Sequence, residues 1–180
     1  MAEFDPVVWK QKAWAGFCHS ASPDHNPSPE KESRWIEDIN AINDIAKIIK
    51  WCLSRCITVS FTKRFAGIYD DEIKSIEIAS NANRLKQLIY LLHECGHYLV
   101  SEAHDTDRFP HVMTSDVDAE KLSKTFHYKV SSLEEEFEAW HRGWRLARRL
   151  KLKLTRKQFD KVRLECLKSY IHWSTRKGKL

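Results

Sequence analysis

No stretch of this chain approaches 18 consecutive apolar residues, so no membrane-spanning helix is expected. Residues 1–10 lack the basic start and apolar run of a signal peptide, and a soluble, cytoplasmic protein is expected (host cytoplasm, if the chain is viral). Paired cysteines are missing too. Cys18, Cys52, Cys56, Cys95 and Cys166 form no C-x-x-C, and an odd, scattered set argues against a disulfide framework and against a thiolate zinc site. Cys52 and Cys56, four apart on an expected helix, read as core thiols. There is no internal repeat.

Negative charge is scarce at the C-terminal end. Residues 142–180 carry fourteen Lys and Arg against Asp160 and Glu165, a net of +12, which leaves residues 1–141 near −7. A basic end of this kind suits nucleic acid or an acidic partner. Arg142, Arg145, Arg148 and Arg149 also fit the solvated face of a helix whose other face carries Trp144, Leu146 and Leu150. Base-stacking aromatics interleaved with the charges are not evident.

What the chain does contain is enough apolar mass for a core, with seven Trp and eight Phe in 180 residues, and one motif with chemical content. His93-Glu94-Cys95-Gly96-His97 lies in a helix-compatible run over 85–100, where Leu85, Leu88, Leu92, Cys95 and Leu99 recur at steps of three and four. Histidines four apart on an α-helix are about 40° apart around the axis and about 6 Å apart along it, so both imidazoles can reach one cation. In this H-E-x-x-H spacing the glutamate can point at the open side of a Zn²⁺ and take a proton from water there. Cys95 faces the core and lacks the flanking base that a nucleophilic thiol needs.

A catalytic zinc takes three protein ligands and keeps one position open. Downstream, Leu133-Glu134-Glu135-Glu136-Phe137-Glu138-Ala139-Trp140 reads as the opening of a second amphipathic helix, with Ser131 or Ser132 as N-cap. Some of its glutamates suit the positive helix end, and the residues alone leave open which one reaches the metal. Glu134, Glu135, Glu136 and Glu138 are all candidates; His104, His111, His127 or His141 would define another class of site.

H-E-C-G-H followed by Glu136-x-x-Ala139-Trp140 resembles the glutamate-type zinc peptidases (gluzincins), whose third ligand lies on a downstream helix reading E-x-x-A-[D/N]. Among them the chain is similar to the ImmA/IrrE-like family over roughly residues 57–150, and it also resembles uncharacterised bacteriophage proteins with H-E-x-x-H. The resemblance implies a zincin fold, a bound Zn²⁺, Glu136 as third ligand and a restricted, regulatory protein substrate. Trp140 stands where that family has Asp or Asn. An indole cannot accept a hydrogen bond from a ligating imidazole, so that orienting role must fall elsewhere.

The expected organisation is an N-terminal extension and linker over 1–30, then a single zincin-like domain over 31–180. Its fold class is α+β: a helix over 33–55, short antiparallel strands at 57–61, 66–69 and 76–78, and the motif helix capped at 81–83. A polar loop over 101–130, the glutamate helix, and a last helix over 156–173 behind Thr155 follow. In that last helix Phe159, Val162, Leu167, Tyr170 and Trp173 are expected to face inward. An edge strand before the motif helix could hold an extended substrate.

The expected function is hydrolysis of peptide bonds. His93, His97 and Glu136 hold zinc, Glu94 is the general base, and an oxyanion donor comes from Tyr98, His127, Tyr128 or His141. Two other readings compete. One is a non-catalytic zincin-fold protein that contacts nucleic acid or a protein partner through its basic C-terminal helices. The other is a DNA-associated SprT-like protease with a third histidine ligand, against which the missing Cys zinc ribbon counts.

Overall fold

The computed structural model describes residues 28–63, 67–103 and 125–175; expectations for the remainder, His104 and His111 included, lie outside these residues. Among the described residues the chain is α+β, with four helices and one three-stranded mixed sheet. None of the described helices is long and apolar enough to cross a membrane. The chain divides into two compact units: residues up to Leu91 with Leu150–Leu154, and Leu92–Arg149 with Thr155–Leu180.

In the first unit, α1 (Pro29–Leu53) begins four residues before the expected Ser33. Pro29 explains the early start: its fixed φ suits a first turn, where its missing N–H has no intrahelical partner to lose. Ala41, Ile42, Ile45, Ile48 and Cys52 form the buried stripe, whereas Ile36 and Leu53 are exposed. Asp44 is buried and fully used. Its carboxylate accepts from Lys47 Nζ at 2.8 Å and from the main-chain N–H of Lys153 at 2.6 Å, tying the 150–154 segment to α1. Cys56, read from sequence as a core thiol, is exposed, because the helix has already ended and Cys56 turns the chain with a left-handed φ of 58°.

Strands β1 (Thr58–Thr62), β2 (Gly67–Asp70) and β3 (Ser75–Ala79) fall close to their expected places, but the antiparallel sheet does not hold. The order is β1-β3-β2; β2 and β3 are antiparallel, while β1 and β3 are parallel. The turn at Cys56 supplies the reason. It delivers Thr58 beside the start of β3, where the Thr58 N–H donates to the Lys74 carbonyl at 3.0 Å, so β1 must run with β3. Ile76 and Ile78 of the central strand are fully buried.

Helix α2 (Arg84–Glu102) carries the motif. Asn83 starts it as expected, its Oδ1 accepting the Lys86 N–H at 2.8 Å. Buried Gln87 donates through Nε2 to the carbonyls of Ala79 and Ser80, both at 3.0 Å, which joins the first turn of α2 to the end of β3.

The second unit holds the rest of α2 with α3 (Phe126–Arg149) and α4 (Arg156–Thr175). Helix α3 starts seven residues before the expected Leu133. The cap is Thr125, whose hydroxyl accepts the Tyr128 N–H at 3.2 Å; Ser131 and Ser132 are buried inside the helix. The glutamates therefore lie mid-helix and have no role at its positive end. Thr155 and Gln158 form a reciprocal capping box at the start of α4, with main-chain bonds of 3.2 and 3.0 Å. Trp140 and Trp144 of α3 both meet Phe159 near the start of α4, and Tyr128 meets Trp173 near its end, so the two helices run antiparallel.

Three arginines of the basic helices have acidic partners within the chain. Arg142 pairs with Glu138 at 2.8 Å and also donates to the Leu99 carbonyl, so it is not the outward-facing residue expected. Arg156 and Arg163 both pair with Asp160, and the guanidinium of Arg156 lies 5.1 Å from the ring centre of Trp144.

Candidate metal centre

Helices α2 and α3 cross at two glycines. A Cβ on Gly96 would collide with the main-chain carbonyl of Ala139, and one on Gly143 with that of Leu92. The contacts are reciprocal: each helix offers a glycine to the backbone of the other. Neither glycine has a positive φ, so close approach is what requires them. This crossing sets the second turn of the motif against the stretch of α3 that follows Glu136.

Three groups that accept a cation converge there. His93 Nε2 lies 3.1 Å from His97 Nε2 and 3.2 Å from Glu136 Oε2, and His97 Nε2 lies 3.5 Å from Glu136 Oε1. Bonds of about 2.0–2.1 Å to a tetrahedral zinc separate neighbouring donor atoms by about 3.3–3.4 Å, and the observed separations, two of them to different oxygens of Glu136, lie around that spacing. Among the described residues, His93, His97 and Glu136 form a group that can hold a metal ion. Glu135, second choice to Glu136 as the third ligand, does something else: its Oε1 lies 2.5 Å from His97 Nδ1. It accepts from the outer nitrogen and turns the inner one toward the centre, the arrangement that fixes tautomer and orientation in metal sites.

His93 is held differently. Its Nδ1 is buried and has no hydrogen-bond partner among the described residues. Trp140 instead lies flat on its ring, with centroids 4.0 Å apart and planes 14° apart, and Phe159 braces Trp140 edge-on at 5.5 Å. The position where the resemblance would place Asp or Asn thus orients its imidazole by a face contact.

Charge follows the same geometry. Burial works against a charged His97, but its bond to Glu135 and the charges of Glu135, Glu94 and Glu136 outweigh it and raise the imidazolium to about 9. Burial dominates at Glu94 and pushes its carboxyl above the ordinary carboxylate range; His93 and His97 pull the other way. At Glu136 burial is outweighed by His93, His97 and a hydrogen bond from Tyr170, and the carboxyl is lowered. Tyr170 itself is pushed up, first by burial and then by the negative charge of Glu136.

Of the expected oxyanion donors, His127 and His141 are exposed and belong to no metal-ligating group among the described residues. Tyr98 is buried, and Tyr128 lines a cavity of about 560 Å³ that Glu135 and Glu136 also border. Tyr170 was missed from sequence. It lies 34 residues beyond Glu136, and nothing local distinguishes it from the core-facing residues of α4. The two glycines were missed as well, although a glycine inside H-E-x-x-H is a signal of close helix approach. Comparison with known proteins finds no matching family model, no matching curated protein and no matching solved structure.

Proposed function

We propose that this chain is a zinc-dependent metallopeptidase of gluzincin type, similar to the ImmA/IrrE-like family, acting on a restricted, regulatory protein substrate. The observation that carries the reading is the convergence of His93, His97 and Glu136 into one group that can hold a metal ion, with the buried carboxyl of Glu94 following the first histidine. Bound zinc supplies Lewis acidity, polarising a carbonyl and lowering the pKa of water.

The rest of the chemistry belongs to the chain. Glu94 takes the proton from the attacking water and passes it to the departing amine; burial raises its carboxyl above the ordinary carboxylate range, which favours holding that proton. Glu135 and Trp140 keep the two imidazoles aimed. The Tyr170 hydroxyl, bonded to Glu136, orients that carboxylate. Purified wild type and Glu94→Gln, compared for metal content and peptide cleavage, test the reading. One zinc per chain in both with cleavage only in wild type is the expected result. Absence of metal from both would overturn it.

A further inference from the structure

The end of α3 and the start of α4 together gather positive charge. Residues 145–157 carry seven Lys and Arg and no Asp or Glu, in a chain whose net charge is only +5. Arg145, Arg148 and Arg149 share about 100° of arc in the last turns of α3, while Arg156, Lys157 and Lys161 open α4; all six are exposed. The two sets meet on one side chain. The guanidiniums of Arg148 and Arg156 lie 5.9 and 5.1 Å from the ring centre of Trp144, so two like charges are held against a single indole. Compensation is thin. Asp160 is shared by Arg156 and Arg163, and Arg145, Arg149, Lys157 and Lys161 have no acidic partner among the described residues. Arg148 and Arg149 suit the negative end of α3, but Arg156 and Lys157 stand at the positive end of α4 with no acid in that turn to offset them.

What this corner lacks selects the partner. Large exposed apolar side chains stop at Phe137 on α3 and resume only at Leu164 on α4. A protein partner needs an apolar or aromatic anchor near the middle of the contact, and a single strand needs open ring faces for its bases. The ring present, Trp144, already faces two guanidiniums. Neutral polar groups are engaged as well: the Thr155 hydroxyl donates to Gln158 Oε1 at 2.7 Å, away from any 2′-hydroxyl of an RNA duplex. Phosphates need only cations. Guanidiniums bond their oxygens in pairs, and each neutralised phosphate releases counterions. We propose that this corner binds the phosphate backbone of duplex DNA without reading its sequence. Arg148 and Arg156, stacked on the indole, lose little further rotamer freedom on contact. The proposal stands on the surface of α3 and α4 and is independent of the metal centre and of the peptidase reading.

Fluorescence anisotropy tests it, with the purified full chain and a labelled random-sequence DNA duplex in a series of salt concentrations. The expected Kd is on the order of micromolar at low salt, and log affinity falls against log salt with a slope near −4 to −5, as about five phosphate contacts imply. Arg145→Gln, Arg149→Gln and Lys157→Gln combined weaken binding by about 10-fold or more and flatten the slope by about 3. Lys31→Gln, Lys50→Gln and Lys63→Gln combined remove the same charge from exposed positions elsewhere and change affinity by less than about threefold. Glu94→Gln binds the duplex as wild type does. Should the first triple variant not fold, Arg149→Glu alone moves affinity and slope in the same direction. Absence of binding at low salt, an affinity indifferent to salt, or equal losses in the two triple variants would overturn the inference. So would tighter binding of a single strand or an RNA duplex, or displacement of the DNA by polyglutamate more readily than by unlabelled duplex.

Discussion

The indole of Trp140 and the imidazole of His93 are stacked 4.0 Å apart and nearly parallel, while the outer nitrogen of that imidazole has no partner among the described residues. Orientation by a ring face depends on flatness and size more than on polarity. Trp140→Phe is therefore expected to keep zinc affinity within about threefold, whereas Trp140→Leu lowers it about 10- to 100-fold, the range seen when supports of metal ligands are lost. Chelator competition with purified variants measures both. An unchanged affinity in Trp140→Leu would show that the stack does not orient His93.

Glu135 makes the opposite kind of contact, a charged acceptor at 2.5 Å from His97 Nδ1. In Glu135→Gln the amide can still meet the ring, but the negative charge is gone. Zinc affinity is expected to fall about 10-fold, with Glu136→Gln costing more because it removes an anionic ligand. If Glu135→Gln abolished binding while Glu136→Gln spared it, the roles assigned to the two glutamates would have to be exchanged.

In metal-free protein His97 keeps its proton to about 9, against 6.5 for an ordinary imidazole. A raised pKa stabilises the fold through the protonated form, so the contribution is complete below about pH 6.5 and is lost as pH rises through about 9. The loss is on the order of 3 kcal/mol. Urea denaturation of the metal-free wild type should weaken across that window, and Glu135→Gln should show a flatter profile.

The same proton competes with the ion. Between pH 7 and pH 9 zinc affinity is expected to rise about 10-fold per unit, with close to one proton released per ion at the lower end. Calorimetry in buffers of different ionisation enthalpy counts that proton. A flat affinity across the window would place the charge of the metal-free centre on some group other than His97.

Gly96→Ala and Gly143→Ala set two effects against each other. Alanine improves helix propensity by about 1 kcal/mol, but each new methyl meets a main-chain carbonyl that no rotamer change can move. The collision wins: a net loss on the order of 2 kcal/mol, together with weaker metal binding, is expected in each variant. Chemical denaturation and metal content together report it.

Sequence periodicity located the motif helix, its asparagine cap, the last helix with its threonine cap, and the approximate places of all three strands. It missed the direction of β1, because alternation is the same in parallel and antiparallel pairs, and the direction was set by a single left-handed residue, Cys56. The start of α3 was misplaced because two serines resemble caps, although Thr125 lies one helical turn and more before them. His93, His97 and Glu136 could be read from spacing and resemblance. The parts played by Trp140, Glu135 and Tyr170 could not, since each depends on how α3 and α4 are rotated against the rest of the centre, a quantity with no local code.

The reciprocal glycine contacts carry one more consequence. A crossing made of main chain against main chain has no soft side chain to give, so the approach of the helix with both histidines to the helix with Glu136 is fixed. Ions with bonds near 2.0–2.1 Å match it, whereas calcium, at about 2.3–2.6 Å, would have to force two helices apart. Under the proposed zinc reading, discrimination by ionic size would thus originate in two hydrogen atoms that stand where side chains would otherwise be.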